Sequence, residues 1–378
     1  MKGSNGQRHS RRAALVAAAM IGRTSYVQAQ EGEEGLARAS STIAEALKNY
    51  DVPGAQICFV DSAKPVRNFA IGVADKSSGR AMTAATRFES ASLSKPVFAC
   101  AVLLLCEQGR LALETQLGEL LATRDLPEDQ RFLKVTVRQI LTHSSGIQPV
   151  PPKGRTSKLL FAPGTQFAYS PHGFDFLQRA VERVAGQPIS QLVGYTVLQP
   201  LKMTESHFGW QMTEDTRAVG HDANNTRGIT INERVSRMSA VQRAAMDAEY
   251  PLMNFPNAAS SLITTARDYA RFLAAAMRPA PTGLLREQFS REIRETKISA
   301  GKGIDWGLAF GLVRSKLHGI GLWHWGDFGV FQNFAVHFPD ENRALVSLTN
   351  GARGQRFNRA VVKLLLGEDL DCFKWLRV

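Results

Sequence analysis

Runs that read as β-strands lie at both ends of this chain and helical periodicity fills the middle, and no other feature limits the possible folds as much. Near the start, residues 55–60 and 66–73 are strand-like, and Asp61-Ser62-Ala63-Lys64-Pro65 between them has the composition of a hairpin turn. Near the end, 307–313, 319–323, 330–338 and 343–348 read as strands, before a helix over 357–366. Apolar residues recur at helical spacing over 93–108, closed by Gly109, over 173–185, closed by Gly186, and over 189–198 and 266–277. An amphipathic segment, 36–50, precedes the first strand. Strands at both ends with helices between predict an α+β fold: an antiparallel sheet closed by the two ends of the chain, flanked by N- and C-terminal helices, with an inserted, mainly helical domain. The sheet part is expected over about 30–91 and 290–378 and the helical part over about 92–289, with a site in the cleft between them.

The 378 residues are 44% hydrophobic and 21% charged, which is enough apolar mass for a large core, and without fixed-period repeats or a long linker they read as one unit. Residues 1–29 differ from the rest. A basic stretch, 1–12, leads into an apolar one, 13–22, and Val27-Gln28-Ala29 has the small-residue spacing of a signal-peptidase site. Ser10-Arg11-Arg12 also resembles a twin-arginine signal, so export to the periplasm is expected. The formal net charge of +12 includes five basic residues and no acid in 1–29, which leaves +7 for the remainder. No consecutive Lys/Arg run survives there and aromatics do not alternate with basic residues, so a nucleic-acid partner is not supported. Apolar runs such as 99–106 are too short to span a bilayer. Cys58, Cys100, Cys106 and Cys372 match no metal or redox spacing and read as small buried hydrophobes, with a disulfide left open.

Chemistry is offered first by Ser92-Leu93-Ser94-Lys95, which opens the apolar helix at 93–108. Residues three apart share a helix face, so Lys95 is placed to hydrogen-bond the Ser92 hydroxyl and, if burial and the helix dipole lower its pKa, to take the proton. The same pattern at Ser299-Ala300-Gly301-Lys302 is flanked by glycines and precedes no apolar helix; it reads as an exposed loop matching by chance. Tyr169 follows the turn Pro163-Gly164 and precedes the helix at 173–185, where its phenol near an ammonium could ionise and serve as base or proton relay. His324-Trp325-Gly326-Asp327 ends a strand; the glycine allows close approach of a substrate, and the following N–H can face an acyl oxygen. His207-Phe208-Gly209 has the same form but lies amid helical segments.

Taken in order, Ser92-x-x-Lys95, Ile140-Leu141-Thr142-His143-Ser144-Ser145-Gly146, Pro163 to Tyr169 and His324-x-Gly326 resemble the serine β-lactamase-related family, which holds class C β-lactamases, D-alanyl-D-alanine peptidases and family VIII esterases. Pro200 to Met203, Ser260-Ser261-Leu262, Asp268 with Phe272, and Leu348-Thr349-Asn350 resemble its secondary landmarks. The resemblance implies Ser92 as nucleophile, Lys95 as its activating partner, Tyr169 as second base and His324 where relatives have Lys or His. It also implies an oxyanion hole from the Ser92 and Asp327 backbone N–H groups, substrate contacts at Trp325 and Gly326, a small ester, amide or β-lactam as substrate, and no cofactor. His143 falls in a segment that looks structural. Where many relatives have Tyr-x-Asn, this chain has Tyr169-Ser170-Pro171, which removes a side-chain amide that would contact an acylamide substrate. The expected function is therefore an esterase-like serine hydrolase. The rivals are a β-lactamase or D-amino-acid peptidase and a catalytically silent binding protein of the same fold.

Overall fold

The computed structural model describes residues 33–61, 64–154, 156–209, 216–276, 283–295 and 297–378, so the expected export signal lies outside it. Helix α1 (Glu33–Asn49) leads into β1 (Gly54–Asp61), β2 (Lys64–Asp75) and β3 (Arg80–Ala81). Three short strands follow in the helical part, β4 (Phe88–Glu89), β5 (His207–Phe208) and β6 (Leu262–Thr264). The C-terminal third supplies β7 (Ile298–Gly301), β8 (Ile304–Trp306), β9 (Gly311–Ser315), β10 (Gly319–Asp327), β11 (Gln332–Phe338) and β12 (Arg343–Thr349).

The nine strands of the main sheet run β3-β2-β1-β12-β11-β10-β9-β8-β7, every neighbouring pair antiparallel. The two ends of the chain meet at β1 and β12, where Ala55 faces Thr349 and Ile57 faces Ser347. This is the α+β closure expected from the strand distribution. Residues 54–59 of β1 are all buried because both sheet faces are covered, so the strand reads as a continuous run instead of an alternation. On one face, Ala39, Ile43 and Leu47 of α1 pack with Phe357, Val361 and Leu366 of the C-terminal helix Gly354–Leu366. On the other face lies the larger core shared with the helical part.

In that part the apolar helix α2 (Ser94–Glu107) is buried along most of its length, and α3 (Val137–Leu141) and α4 (Pro171–Ala185) pack against each other beside it. Gly186 ends α4 in the left-handed region at φ 71°, a conformation glycine adopts without a Cβ penalty. A further helix, α5 (Ala266–Ala276), lies on β1 and β12. Among the described residues no helix is long and apolar enough to cross a membrane.

Several expectations shift. Residues 307–310 form a turn closed by Gly307 N–H donating to Phe310 O at 2.9 Å, and the strand begins at Gly311. The helix at 189–198 loosens into a π-helical turn from Gly194. His207-Phe208 is not amid helices but pairs with β6, in a small sheet ordered β4-β6-β5. Ser299 lies on the edge strand β7, not in a loop; it is exposed as expected. All four cysteines are free thiols.

Candidate active site

The small sheet positions the serine. β4 pairs with β6, Phe88 opposite Thr264 and Glu89 opposite Ile263, and the chain then turns through Ala91–Leu93 into α2. Ala91 is held at φ 50°, a left-handed conformation that costs a non-glycine residue about 1–3 kcal/mol and persists only where its surroundings enforce it. Those surroundings are specific: Ser90 Oγ donates to Leu262 O at 2.8 Å, Ser94 Oγ donates to Ala91 O at 2.6 Å, and Ser94 Oγ accepts from Leu262 N–H at 2.9 Å. Ser90, Ala91, Leu93 and Ser94 are buried, and Ser92 alone in this turn keeps partial exposure.

Lys95, in the first turn of α2, sits with Nζ 2.9 Å from Ser92 Oγ and donates to Ala259 O at 2.9 Å. Its side chain is fully buried, with the Tyr169 and Phe174 rings 5.1 and 5.6 Å from Nζ. Burial pushes the ammonium down from 10.5 to about 7, against the opposing pull of the Asp175 carboxylate. At pH 7 about half of such an amine is neutral and able to accept a proton.

Tyr169 enters from the loop before α4, its ring half-buried against His143 at 4.3 Å and Trp325 at 4.7 Å between centroids. Burial raises its phenol above the usual value, while the nearby Ser92 hydroxyl pulls the other way. The hydroxyl has no partner of full hydrogen-bond geometry among the described residues. The expected phenolate is therefore disfavoured: desolvation outweighs any help from an ammonium that is itself half neutral, and Tyr169 stands in the site as a phenol.

His324 on β10 is fully buried, 6.1 Å from the Tyr169 ring. Its Nδ1 lies 2.7 Å from Trp325 O, which as an acceptor fixes the proton on Nδ1 and leaves Nε2 a bare acceptor without a partner among the described residues. Burial and then the Lys95 charge drive its pKa from 6.5 to about 3, so it is neutral. It therefore brings no positive charge. Trp325 is half-buried, and Asp327, at the end of β10, is exposed and accepts from Gly329 N–H at 2.6 Å through its side chain.

Gly326 has a different structural reason from the one expected. A Cβ built there would lie 2.0 Å from Ser90 O and 3.3 Å from the Ala91 Cβ. The glycine admits the serine-bearing turn against β10, and thereby brings the end of β10 beside Ser92.

A family model, Beta-lactamase, matches residues 39–367. The chain belongs to that family. It is 28% identical over 316 residues to Esterase EstB from Burkholderia gladioli, covering 72% of this chain and 78% of that protein. Among solved structures it superposes on EstCE1, described as a hydrolase with promiscuous acyltransferase activity, with a TM-score of 0.71 at 19% identity over 87% of this chain and 98% of that one. A class C β-lactamase gives a TM-score of 0.71 at 18% identity, over 90% of this chain and 98% of that one. At these identities the structures establish the shared fold.

The family fold thus brings Ser92, Lys95, Tyr169 and His324 into one cluster, with Trp325 and Gly326 at its edge, and leaves Ser299 outside on β7, its Oγ accepting from Gly301 N–H at 3.3 Å. The structure also brings in His143, which sequence reasoning set aside. Its ring faces Tyr169, and its Nδ1 accepts the Ser170 N–H at 3.0 Å, holding the backbone next to the tyrosine. Ser90, Ser94 and the Ala259 carbonyl were missed. Ser90 and Ser94 are four apart around Ser92, a spacing the sequence does show, but a backbone carbonyl leaves no signal in a sequence. Pro171 occupies the first position of α4, where a missing N–H costs nothing, while Ser170 caps the helix by accepting from Gly173 N–H at 3.0 Å.

Proposed function

We propose that this protein hydrolyses small esters through an acyl-enzyme on Ser92. The observation that carries the reading is the fully buried Lys95 amine 2.9 Å from a partly exposed serine hydroxyl. The neutral amine takes the Ser92 proton as Oγ bonds to the ester carbonyl carbon, and the resulting oxyanion lies against the backbone N–H groups of Ser92 and Asp327. The leaving alkoxide receives a proton from the Tyr169 phenol, which recovers one from Lys95. Water then attacks the acyl-enzyme, gives up its proton through the same pair, and releases the carboxylic acid and free Ser92. His324 and His143, both neutral, hold the Tyr169 surroundings without adding charge.

Three features support an ester over an acylamide substrate. Pro171 offers no side-chain donor or acceptor where an amide would contact a substrate. The half-buried rings of Phe167, Trp325 and Trp375 beside Tyr169 give an apolar aromatic flank. The name of the relative EstB is that of an esterase. Purified protein assayed on short-chain aryl esters, a chromogenic cephalosporin and a D-alanyl peptide, with Ser92→Ala as blank, tests the reading. The expected kcat/KM advantage of esters is about two orders of magnitude, equivalent to roughly 2.7 kcal/mol. Cephalosporin turnover matching ester turnover would replace it with the β-lactamase reading. An active-site-directed phosphonate should label Ser92 and spare Ser299; absence of any labelling would favour a silent binding protein. The proposal extends to location: residues 1–29 act as an export signal, delivering the mature chain to the periplasm.

A further inference from the structure

The helical part holds a cavity of about 970 Å³, ample for a small molecule. It is separate from the Ser92 cluster: among the described residues, none of Ser92, Lys95, Tyr169 and His324 lines it. Segment 257–261 stands between the two, giving its Ala259 carbonyl to Lys95 and its Ser261 to the cavity wall. That wall is preformed. Ser261 Oγ donates to Asn232 Oδ1 at 3.1 Å, and Asn232, which also lines the cavity, donates through Nδ2 to Ser260 O at 3.1 Å. Two features on the opposite side point to an occupant. The helix Ile189–Val193 widens into the π-helical turn Gly194–Leu198, a distortion frequent at functional sites, and both ends of that turn line the cavity. Gly194 also has no steric reason to be glycine: its φ is −52°, and a Cβ there would meet nothing within 4 Å. A helical glycine is destabilising relative to alanine, and what its missing side chain leaves open here is the cavity.

We propose that this cavity is a second, noncatalytic binding site for a monocarboxylate with an apolar tail; the acid released from an ester is one such molecule. The lining selects both parts. Leu198, Met203, Phe208 and Val235 are buried and give the cavity an apolar interior, on which each CH₂ of a tail removed from water adds affinity. The exposed Lys202 and the half-buried Arg243 supply the charge, and no acidic side chain lines the cavity among the described residues. Arg243 donates from Nε to Asp247 Oδ1 at 3.0 Å and from Nη2 to Phe255 O at 3.1 Å, so its charge is already answered and Nη1 is left as a donor. The Lys202 ammonium has no partner among the described residues. One unanswered positive charge at the edge of an apolar interior matches one carboxylate. A dianionic phosphate would keep a charge unpaired beside apolar walls, and a neutral alcohol would leave the ammonium unused.

The test needs no turnover. The full-length mature protein carrying Ser92→Ala is titrated with sodium octanoate by calorimetry at pH 8 and low salt, and saturable binding of one octanoate per chain is expected. In that background Gly194→Phe, which places a ring in the cavity, should abolish binding, whereas Gly194→Ala should leave it unchanged. Lys202→Met should weaken octanoate about tenfold, the loss of one charge-assisted contact, and leave octan-1-ol binding as it was. Circular dichroism and thermal melting check the fold of Gly194→Phe. Should that variant not fold, Ser236→Trp, at an exposed position on the cavity lining, decides in its place. Octanoate binding that survives the cavity-filling variant lies elsewhere, the Ser92 cleft included, and overturns the proposal. The absence of saturable binding, or octan-1-ol binding as tightly as octanoate, overturns it too. A wild-type protein that hydrolyses none of the three substrate classes, while octanoate binding responds to Gly194→Phe as expected, overturns the function above and leaves this site standing; an active esterase without such binding does the reverse.

Discussion

If Lys95 is the base, ester hydrolysis should carry the lysine's titration in its pH profile. Complete burial holds the amine near 7, whereas an exposed lysine would titrate at 10.5. At pH 7 half the molecules then hold a neutral amine, against roughly 0.03% for an unshifted lysine, so burial supplies roughly a 1,500-fold gain in competent base. The neutral fraction falls tenfold per unit on the acid side, to about 1% at pH 5. The expected profile of kcat/KM therefore rises with unit slope from pH 5, bends near 7 and stays level into the alkaline range. No second limb is expected below pH 9, because Tyr169 is raised above its usual value and remains a phenol. The assay is initial-rate hydrolysis of an aryl acetate from pH 5 to 9.5, corrected for spontaneous hydrolysis with the Ser92→Ala protein as blank. A profile still climbing with unit slope at pH 9.5 would mean an unshifted lysine. A flat profile from pH 5 would mean that no group of this kind loses a proton before attack. Either result refutes the reasoning.

Gly326→Ala should force the serine-bearing turn off β10, since its Cβ would meet Ser90 O at 2.0 Å; a stability loss of about 1–3 kcal/mol in denaturant melts, with a larger fall in kcat than in substrate affinity, is the expected result, and an unaffected enzyme would show that this contact does not set the site. Glu89 is buried with Thr230 Oγ1 and Asn232 Nδ2 on its carboxylate, and burial raises it from 4.5 to about 7. A carboxyl raised in the folded state contributes stability that is present below pH 4.5 and lost as pH rises toward 7, so Glu89→Gln should flatten that loss and melt above wild type at pH 8; equal melting at pH 8 counts against it. Protein recovered from the native host should begin at or near Gln30 and lie outside the cytoplasm; a full-length cytosolic chain would end the export proposal.

The closure of the sheet was legible because strand patterns at both ends left two groups of edges to pair, and β1 with β12 is where they do. Ser92 was legible because Lys95 follows at helical spacing and the apolar run after it fits a buried helix. What stayed hidden was whatever depends on residues far apart in sequence. Ser157 in a loop meets His172 on a helix at 2.8 Å, and Ala259 contributes only a carbonyl. His207 was misplaced because a two-residue strand carries no periodicity to set against its helical surroundings. Tyr169 was placed correctly, but its ionisation was judged from the expected ammonium alone, when the larger effect is the desolvation that only packing reveals.

Glu89 and Lys95 lie six residues apart on either side of the strained turn, and their burial acts on stability in adjoining pH windows. The raised Glu89 removes stability between about 4.5 and 7. The depressed Lys95 works in the opposite sense: between about 7 and 10.5 the unfolded chain binds more protons than the folded one, so stability rises with pH across that window and the full penalty applies below it. The two penalties overlap near pH 7, where Glu89 is losing its proton and Lys95 is half neutral. On the order of 5 kcal/mol for the lysine and 3 kcal/mol for the glutamate follows from about 1.4 kcal/mol per pKa unit. The fold therefore carries its largest electrostatic cost at the pH where Lys95 becomes a base. Sheet burial on both faces, with the Ser90 and Ser94 hydrogen bonds to β6, must hold the turn together at that point. Replacing Lys95 with a methionine would relieve the cost and remove the base together, which is why a charged group in this interior makes sense for catalysis and not for stability.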